Sequence, residues 1–554
     1  MRKLALLASL AALVPVWAAH PVHARHAMVV TVEPHATDAG VAVLQAGGNA
    51  VDAAVAVGFA LAVTHPSAGN LGGGGFMLVR FADGRTTFLD FRERAPEKAS
   101  RDMYLDADGK PTKDSEAGYR AAGVPGTVRG FEYASRKYGR KPWAEVVAPA
   151  VALAEKGFPV SYGLAQSLRN SASWLGRFPE SKRIFLKEGR YFEADETLVQ
   201  PELARTLARI QREGARDFYE GDTARLLAAD MERNGGLITA ADLAAYAVVE
   251  RKPLSGRYSG YDIVTAPPPS SGGVGVLEML GVLEGSDYKK SGAGSAAELH
   301  FLAETMRRFF ADRAAYMGDP DFVNVPVASL LDPPYLAYLR QSIDPQHATP
   351  SSEVHAAKLP GAESSQTTHY SIVDSEGNAV AVTYTLNGSY GCGVTAPGLG
   401  FLLNNEMDDF AALPGKPNAY GLVQGEANAI QPRKRPLSSM TPTIVTRDGR
   451  LALVLGTPGG PTIINSVLQV FLNVVDFGMN VQDAVNAPRI HHQWMPDRLV
   501  MERGFSPDTI ALLESRGHQV RVIGAIGEVA AITAHDGWLD GAADPRTEGV
   551  AKGF

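Results

Sequence analysis

A polar, loop-like stretch from Ser351 to Gln366 runs directly into Thr367–Asp374 and Asn378–Leu386, two β-forming runs joined by Ser375-Glu376-Gly377. Runs rich in β-branched and aromatic residues around a short Gly-containing turn read as an antiparallel hairpin. A strand therefore opens on a Thr that follows a loop. A second hairpin is expected earlier, where Gly69-Asn70-Leu71-Gly72-Gly73-Gly74-Gly75 leads into Phe76–Arg80 and Ala82-Asp83-Gly84 turns the chain back into Thr86–Phe91.

Around these hairpins the pattern is helical. Thr37–Ala46 and Asn49–Val63 read as Ala-rich helices broken at Gly47-Gly48, and the middle of the chain, about Pro142 to Gln341, reads as mainly helical. Within it Asn234-Gly235-Gly236 is a stop, and Thr239 with Asp242 has the spacing of a capping box. Leu451–Gly456 reads as a buried strand, Ile463–Val475 as a helix, and Asp508–Val522 as a helix followed by a strand. Strand pairs flanked by long helical segments favour α+β layering over a doubly wound parallel sheet. Pro267-Pro268-Pro269-Ser270-Ser271-Gly272-Gly273 reads as a rigid-then-flexible loop, for which a connector is one sufficient role.

Composition narrows the partners and the compartment. A net charge of -7 provides no basic surface for nucleic acid or anionic lipid. Met1-Arg2-Lys3 before an apolar run from Leu4 to Ala19 has the form of a secretory signal, so the mature chain is expected to be periplasmic or secreted. That run is shorter than the ~20 residues that span a bilayer, and no later stretch is long and apolar enough. Cys392 is the only cysteine, so stability in an oxidising compartment must come from the core. Its Gly-rich surroundings favour buried packing over nucleophilic chemistry.

Several common catalytic signatures are missing: Gly-x-Ser-x-Gly, a phosphate loop, Gly-x-Gly-x-x-Gly, Cys-x-x-Cys and His-Glu-x-x-His. The 13 His residues form no evident metal cluster, and His491-His492 is most simply a structural pair. A hydroxyl chemistry remains that needs neither His, metal nor cofactor. A Thr at a new chain terminus carries its own base, because a free α-amino group titrates near pH ~7.7–8.0. Its hydroxyl can make that terminus itself by attacking the preceding carbonyl, after which water hydrolyses the resulting ester. Gln366-Thr367, at the junction of loop and strand, is the place for this event, although β-propensity alone also explains a Thr there.

Residues 26 to 554 resemble the γ-glutamyltranspeptidase (glutathione hydrolase) family of the N-terminal-nucleophile hydrolases. The resemblance is carried by Gly47–Ala54, Thr64-His65-Pro66 with the glycines to Gly75, Leu89–Glu93, Gln366–Ser371, Asn404–Phe410, Arg435–Met440 and Gly456–Gly460, in this order and spacing. It implies a four-layer αββα fold made as one precursor. A signal peptide (1–19) would be followed by a large subunit (20–366) and a small subunit (367–554), which together form one domain and a processed heterodimer.

Carried over by position, Thr367 is the nucleophile and Thr385 the hydroxyl that holds it. Arg92, with Ser438 and Ser439, would grip the donor's α-carboxylate, since Arg suits carboxylate geometry. Asn387, Glu406 and Asp409 would receive its α-ammonium. Strand alternation puts Thr383, Thr385 and Asn387 on one face. The amides of Gly459 and Gly460 would hold the oxyanion. Gln366 and Thr367 form the cleavage site, and Pro414–Gly425 with Tyr420 matches a lid present in many members and absent from some that act on bulkier substrates. Relatives carry Gln or Glu where this chain has Glu406.

The implied donors are small γ-glutamyl compounds such as glutathione and glutamine-like molecules, and the acceptors are water, amino acids or dipeptides. A cephalosporin-acylase-like enzyme, an exported solute-binding protein and a precursor that never matures are the competing readings.

Overall fold

Alternation along one hairpin decides the layering. In the computed structural model, which describes residues 19–187, 190–354, 367–414 and 424–554, strand Thr368–Val373 pairs antiparallel with Ala379–Thr385. The register runs from Thr368 opposite Tyr384 to Val373 opposite Ala379. Successive side chains of a strand face opposite sides. Here Tyr370, Ile372, Val380, Val382 and Tyr384 enter one apolar core, while Val373, Ala379 and Ala381 enter a second.

The first core lies under helices Pro34–Gln45 and Ala50–Thr64 and the helices that follow them. All fifteen residues of Ala50–Thr64 are buried, as expected of a helix apolar on every side. Asn49 caps it: its Oδ1 accepts from the Val51 and Asp52 amides, and the Asp52 carboxylate accepts from the Asn49 amide. Two tyrosines of the hairpin fasten this helix to the sheet, Tyr370 Oη donating to the Ala54 carbonyl and Tyr384 Oη to that of Gly58, each at 2.9 Å.

The second core lies between two seven-stranded sheets and continues through the second sheet to helices Gly272–Leu283, Ala296–Tyr316 and Thr462–Val475. The first sheet runs Val550–Gly553, Met28–Thr31, Thr368–Val373, Ala379–Thr385, Gly74–Arg80, Thr86–Asp90, Val249–Arg251. The second runs Val22–Ala24, Trp538–Ala543, Ala530–His535, Arg450–Gly456, Thr443–Arg447, Tyr261–Thr265, Leu254–Tyr258. The result is the αββα sandwich, with strands from before and after Thr367 interleaved in both sheets.

The helical reading of the middle region needs correction. Val249–Arg251, Leu254–Tyr258 and Tyr261–Thr265 are strands inside the span read as mainly helical. They lie at or near sheet edges and are only partly buried, so Glu250, Arg251, Arg257 and Asp262 give them a polar composition that masks strand alternation. Helices Trp143–Lys156, Pro201–Glu213, Gly272–Leu283 and Ala296–Tyr316 agree with that reading, as does the capping box of Thr239 and Asp242. Cys392 is fully buried, and burial pushes its thiol up to about 12, as suits a packing residue.

Between the sheets His369 links the hairpin to the facing layer. Ser371 Oγ donates to the Ala530 carbonyl and so accepts from His369 Nε2–H at 3.1 Å, which leaves Nδ1 to accept from the Thr383 hydroxyl at 2.8 Å. Burial pushes this imidazole down to about 3, so it is neutral. A Cβ on Gly456 would come within 2.3 Å of its ring. Gly456→Ala is therefore expected to lower the stability measured by denaturant unfolding by about 1–3 kcal/mol. An unchanged midpoint would show that the two sheets can separate at no cost.

Candidate active site

The hairpin ends in a cavity. The register that pairs Thr368 with Tyr384 carries Thr367 across from Thr385, and both residues line the same small cavity with Arg92, Asn387, Glu406, Asp409, Ser438, Ser439, Met440, Gly460 and Ile463. Residues separated by more than three hundred positions thus meet at one point. Gly459 lies one residue behind that wall. Gln366 and Tyr420 fall outside the described residues. A much larger cleft, lined by His26, Tyr261, Arg450, Trp538 and Asp540 among others, contains none of these groups.

Each wall has a local cause. Past Thr385 the strand ends because Asn387 adopts φ 72°, a left-handed conformation that Asn tolerates. The Asn387 amide donates to Thr385 Oγ1 at 2.8 Å, and its side chain donates to the Asn405 carbonyl at 2.9 Å. The Asn404 side chain ties the next wall to the Gly-rich segment, donating to the carbonyls of Gly72 and Gly123 at 2.8 Å each. Its Oδ1 accepts from the Glu406 amide at 2.9 Å, at the start of the short turn Glu406–Asp409.

Arg92 is nearly inaccessible, and its guanidinium donates to Glu406 Oε1 and Asp409 Oδ2. It also donates to the carbonyls of Pro436 and Leu437, at 3.3 and 3.1 Å. The residues expected to grip a carboxylate and to receive an ammonium are therefore ion-paired with one another. Glu93 is a third buried carboxyl here, with Oε2 3.7 Å from Arg92 Nη1. Burial pushes Glu93 up to about 7 and Glu406 up to about 8, and in each case outweighs the lowering effect of Arg92.

Ser438 and Ser439 are held by the Pro-Pro-Pro-Ser-Ser loop, which is more than a connector. The Ser438 amide donates to the Pro269 carbonyl at 2.8 Å, and the Ser438 carbonyl accepts from the Ser271 amide and hydroxyl at 2.7 and 2.8 Å. Buried Arg313 donates through Nε to Ser271 Oγ at 2.9 Å. On the facing wall Gly459 and Gly460 have φ of 131° and 56°, a turn that leads into helix Thr462–Val475 and so places the positive end of its dipole beside Thr367.

No group of three or more His, Cys, Asp or Glu among the described residues is placed to hold a metal ion. His491 is buried, bonded at Nδ1 to the Asn465 amide and pushed down to about 4 by burial, which agrees with a structural part.

A Thr at the head of a central strand, between the sheets of an αββα sandwich and facing a Gly-Gly turn, defines the class: this is an N-terminal-nucleophile hydrolase fold. The sequence matches the family model described as Gamma-glutamyltranspeptidase over residues 36–554. It is 54% identical over 531 residues to a glutathione hydrolase proenzyme of Escherichia coli (strain K12), covering 95% of this chain and 92% of the relative. It is 40% identical over 542 residues to an acylase ACY 1 proenzyme of Pseudomonas sp. (strain V22), covering 96% and 94%. Among solved structures, the cephalosporin acylase from Bacillus halodurans superposes with a TM-score of 0.87 at 28% identity over 99% of each chain. A Helicobacter pylori gamma-glutamyltranspeptidase chain gives 0.58 at 46% identity, covering 59% of this chain and 94% of that one. The chain belongs to the gamma-glutamyltranspeptidase family, and it is an enzyme.

The Glu406 shift has a sign that can be checked. Between the ordinary carboxyl value of about 4.3 and about 8, the folded chain keeps a proton that the unfolded chain has released. The stability it contributes is complete below the ordinary range and is lost as pH rises through about 8. The melting temperature of the wild type is expected to fall as pH is raised over this window, and that of Glu406→Gln to fall less. Parallel slopes in the two proteins would remove the assignment.

Proposed function

We propose that this enzyme is a self-cleaving γ-glutamyltransferase and glutathione hydrolase that acts through an ester on Thr367. The observation that carries this reading is the buried pairing of Arg92 with Glu406 and Asp409 at the end of the cavity that holds Thr367. A γ-glutamyl donor presents an α-carboxylate and an α-ammonium at the end remote from the scissile amide. Such a zwitterion can insert into the ion pair, its carboxylate taking Arg92, Ser438 and Ser439 and its ammonium taking Asn387, Glu406 and Asp409. Each charge of the donor then meets an opposite one. A donor with only one of the two charges would leave a buried partner unpaired, which is strongly unfavourable. That difference argues against the acylase alternative, although the chain is also 40% identical to an acylase.

Maturation would begin with attack of Thr367 Oγ on the Gln366 carbonyl. The acyl group moves from nitrogen to oxygen, and water hydrolyses the ester to release a carboxylate and a free Thr367 amine. The two pieces, residues 20–366 and 367–554, would stay together as a heterodimer because their strands alternate within both sheets. In turnover the amine takes the Thr367 hydroxyl proton as Oγ attacks the γ-carbonyl, and Thr385 steadies the nucleophile. The Gly459 and Gly460 amides, at the positive end of helix Thr462–Val475, stabilise the oxyanion; loss of one such donor would add roughly 2.7–4 kcal/mol to the barrier. The amine returns the proton to the leaving nitrogen, and the γ-glutamyl ester passes to water or to the amino group of an amino acid or dipeptide. None of these steps needs a cofactor.

The apolar run at Leu4–Ala19 supports export to a periplasmic or extracellular site, and no helix among the described residues is long and apolar enough to cross a membrane. The lid role of Tyr420 remains part of the same proposal.

The test is release of the aniline from a γ-glutamyl anilide, with and without glycylglycine, alongside denaturing electrophoresis. Wild type is expected to give two fragments and to release product faster with glycylglycine, whereas Thr367→Ala stays one chain and is inactive. A cleaved, active Thr367→Ala variant would end the assignment of the nucleophile.

A further inference from the structure

Two side chains bridge the same pair of backbone segments. Arg92 Nη2 donates both to Asp409 Oδ2 and to the Leu437 carbonyl, and so links the acidic wall to the segment that carries Ser438. On the other side of these segments lies Asn428, which is 1% exposed. Its Nδ2 donates to the Asp409 carbonyl at 2.6 Å and to Gln424 Oε1, and its Oδ1 accepts from the Leu437 amide at 3.0 Å. Gln424 Nε2 donates to the same Asp409 carbonyl at 2.8 Å. The donor and acceptor ends of the Asn428 amide are thereby distinguished, since only NH2 can face two carbonyl oxygens and only oxygen can face an amide N–H.

These links differ in one respect. A donor's α-carboxylate must draw on Arg92, so the Arg92 link changes when substrate binds. Asn428 is absent from the cavity lining, and a donor cannot compete for its bonds.

We propose that Asn428 is a positioning residue, supported by Gln424, that fixes the spacing between the ammonium-binding Asp409 and the carboxylate-binding Ser438 while Arg92 exchanges partners. This rests on the subsite reading given under Proposed function. The reacting atoms at Thr367 lie in the hairpin, outside this link, so spacing errors fall on donor binding rather than on chemistry.

Asn428→Asp keeps the shape of the side chain and its acceptor for Leu437. It replaces both donors with a carboxylate oxygen that faces two acceptors. With a γ-glutamyl anilide the variant is expected to cleave itself into two fragments, to keep kcat within about threefold and to raise KM about tenfold, because the lost bonds serve donor binding. Gln424→Met, which removes one of the two donors to the Asp409 carbonyl, is expected to raise KM about threefold with kcat retained, and it carries the test should Asn428→Asp not fold. An unchanged KM in a folded variant, or a loss confined to kcat, would overturn the proposal. A wild type that releases no aniline would instead overturn the functional reading on which it rests.

Discussion

Two strands in the middle of the first sheet impose the rest of the architecture. Thr368–Val373 and Ala379–Thr385 present Tyr370, Ile372, Val382 and Tyr384 to a helical layer and Val373, Ala379 and Ala381 to the facing sheet. Because the side-chain period is two, a slip of one residue would exchange these faces and bury the wrong set in each core. The same register brings Thr367 opposite Thr385 at the open end of the hairpin. Packing and the cavity thus depend on one alignment: the order that places tyrosines under helix Ala50–Thr64 also brings the two threonines to the cavity.

Electrostatics at the cavity follow from its depth. One guanidinium is surrounded by Glu93, Glu406 and Asp409, all nearly inaccessible. Three full negative charges around one positive charge would be costly to desolvate. Burial relieves this by pushing Glu93 and Glu406 up to about 7 and about 8, so that near neutral pH both can hold protons. In the proposed donor complex an ammonium would lie beside the acids and a carboxylate beside Arg92, each stabilising the charged form of its neighbour. Arg92 is accordingly satisfied within the protein itself, by Glu406 and Asp409.

Much of the layering was readable from residue pattern. Asn49–Val63, Ile463–Val475 and the hairpins around Gly84 and Gly377 were visible because apolar periodicity and turn residues agreed. The strands from Val249 to Thr265 were hidden by edge position and charge. The site was another matter: Arg92, Thr367, Glu406 and Ser438 share no local pattern, and only resemblance to a family gathered them before the fold brought them together. Ser271 and Asn428 escaped because their parts are played through backbone groups of other residues, and Glu93 because its burial beside Arg92 shows only in the fold. A run such as Glu426-Ala427-Asn428 contains no sign that its amide will meet Asp409 and Leu437. Such contacts belong to tertiary structure, and composition or spacing alone does not encode a readable trace of them.

Fold and substrate are separable in this family. A cephalosporin acylase at 28% identity superposes over 99% of this chain with a TM-score of 0.87, and an acylase ACY 1 proenzyme is 40% identical to it. The αββα frame therefore does not by itself choose the acyl group; in this chain it sets Thr367 at the head of a strand beside the N-terminus of helix Thr462–Val475. On the proposed reading the discriminating element is the charge balance around Arg92 at the far end of the cavity. An isolated Arg would suit any carboxylate. Arg92 already bonded to Glu406 and Asp409 suits one that brings its own cation, because only then are both halves of the broken ion pair satisfied. Under the proposed function, selectivity would arise from the cost of separating a buried pair as much as from the contacts a ligand gains.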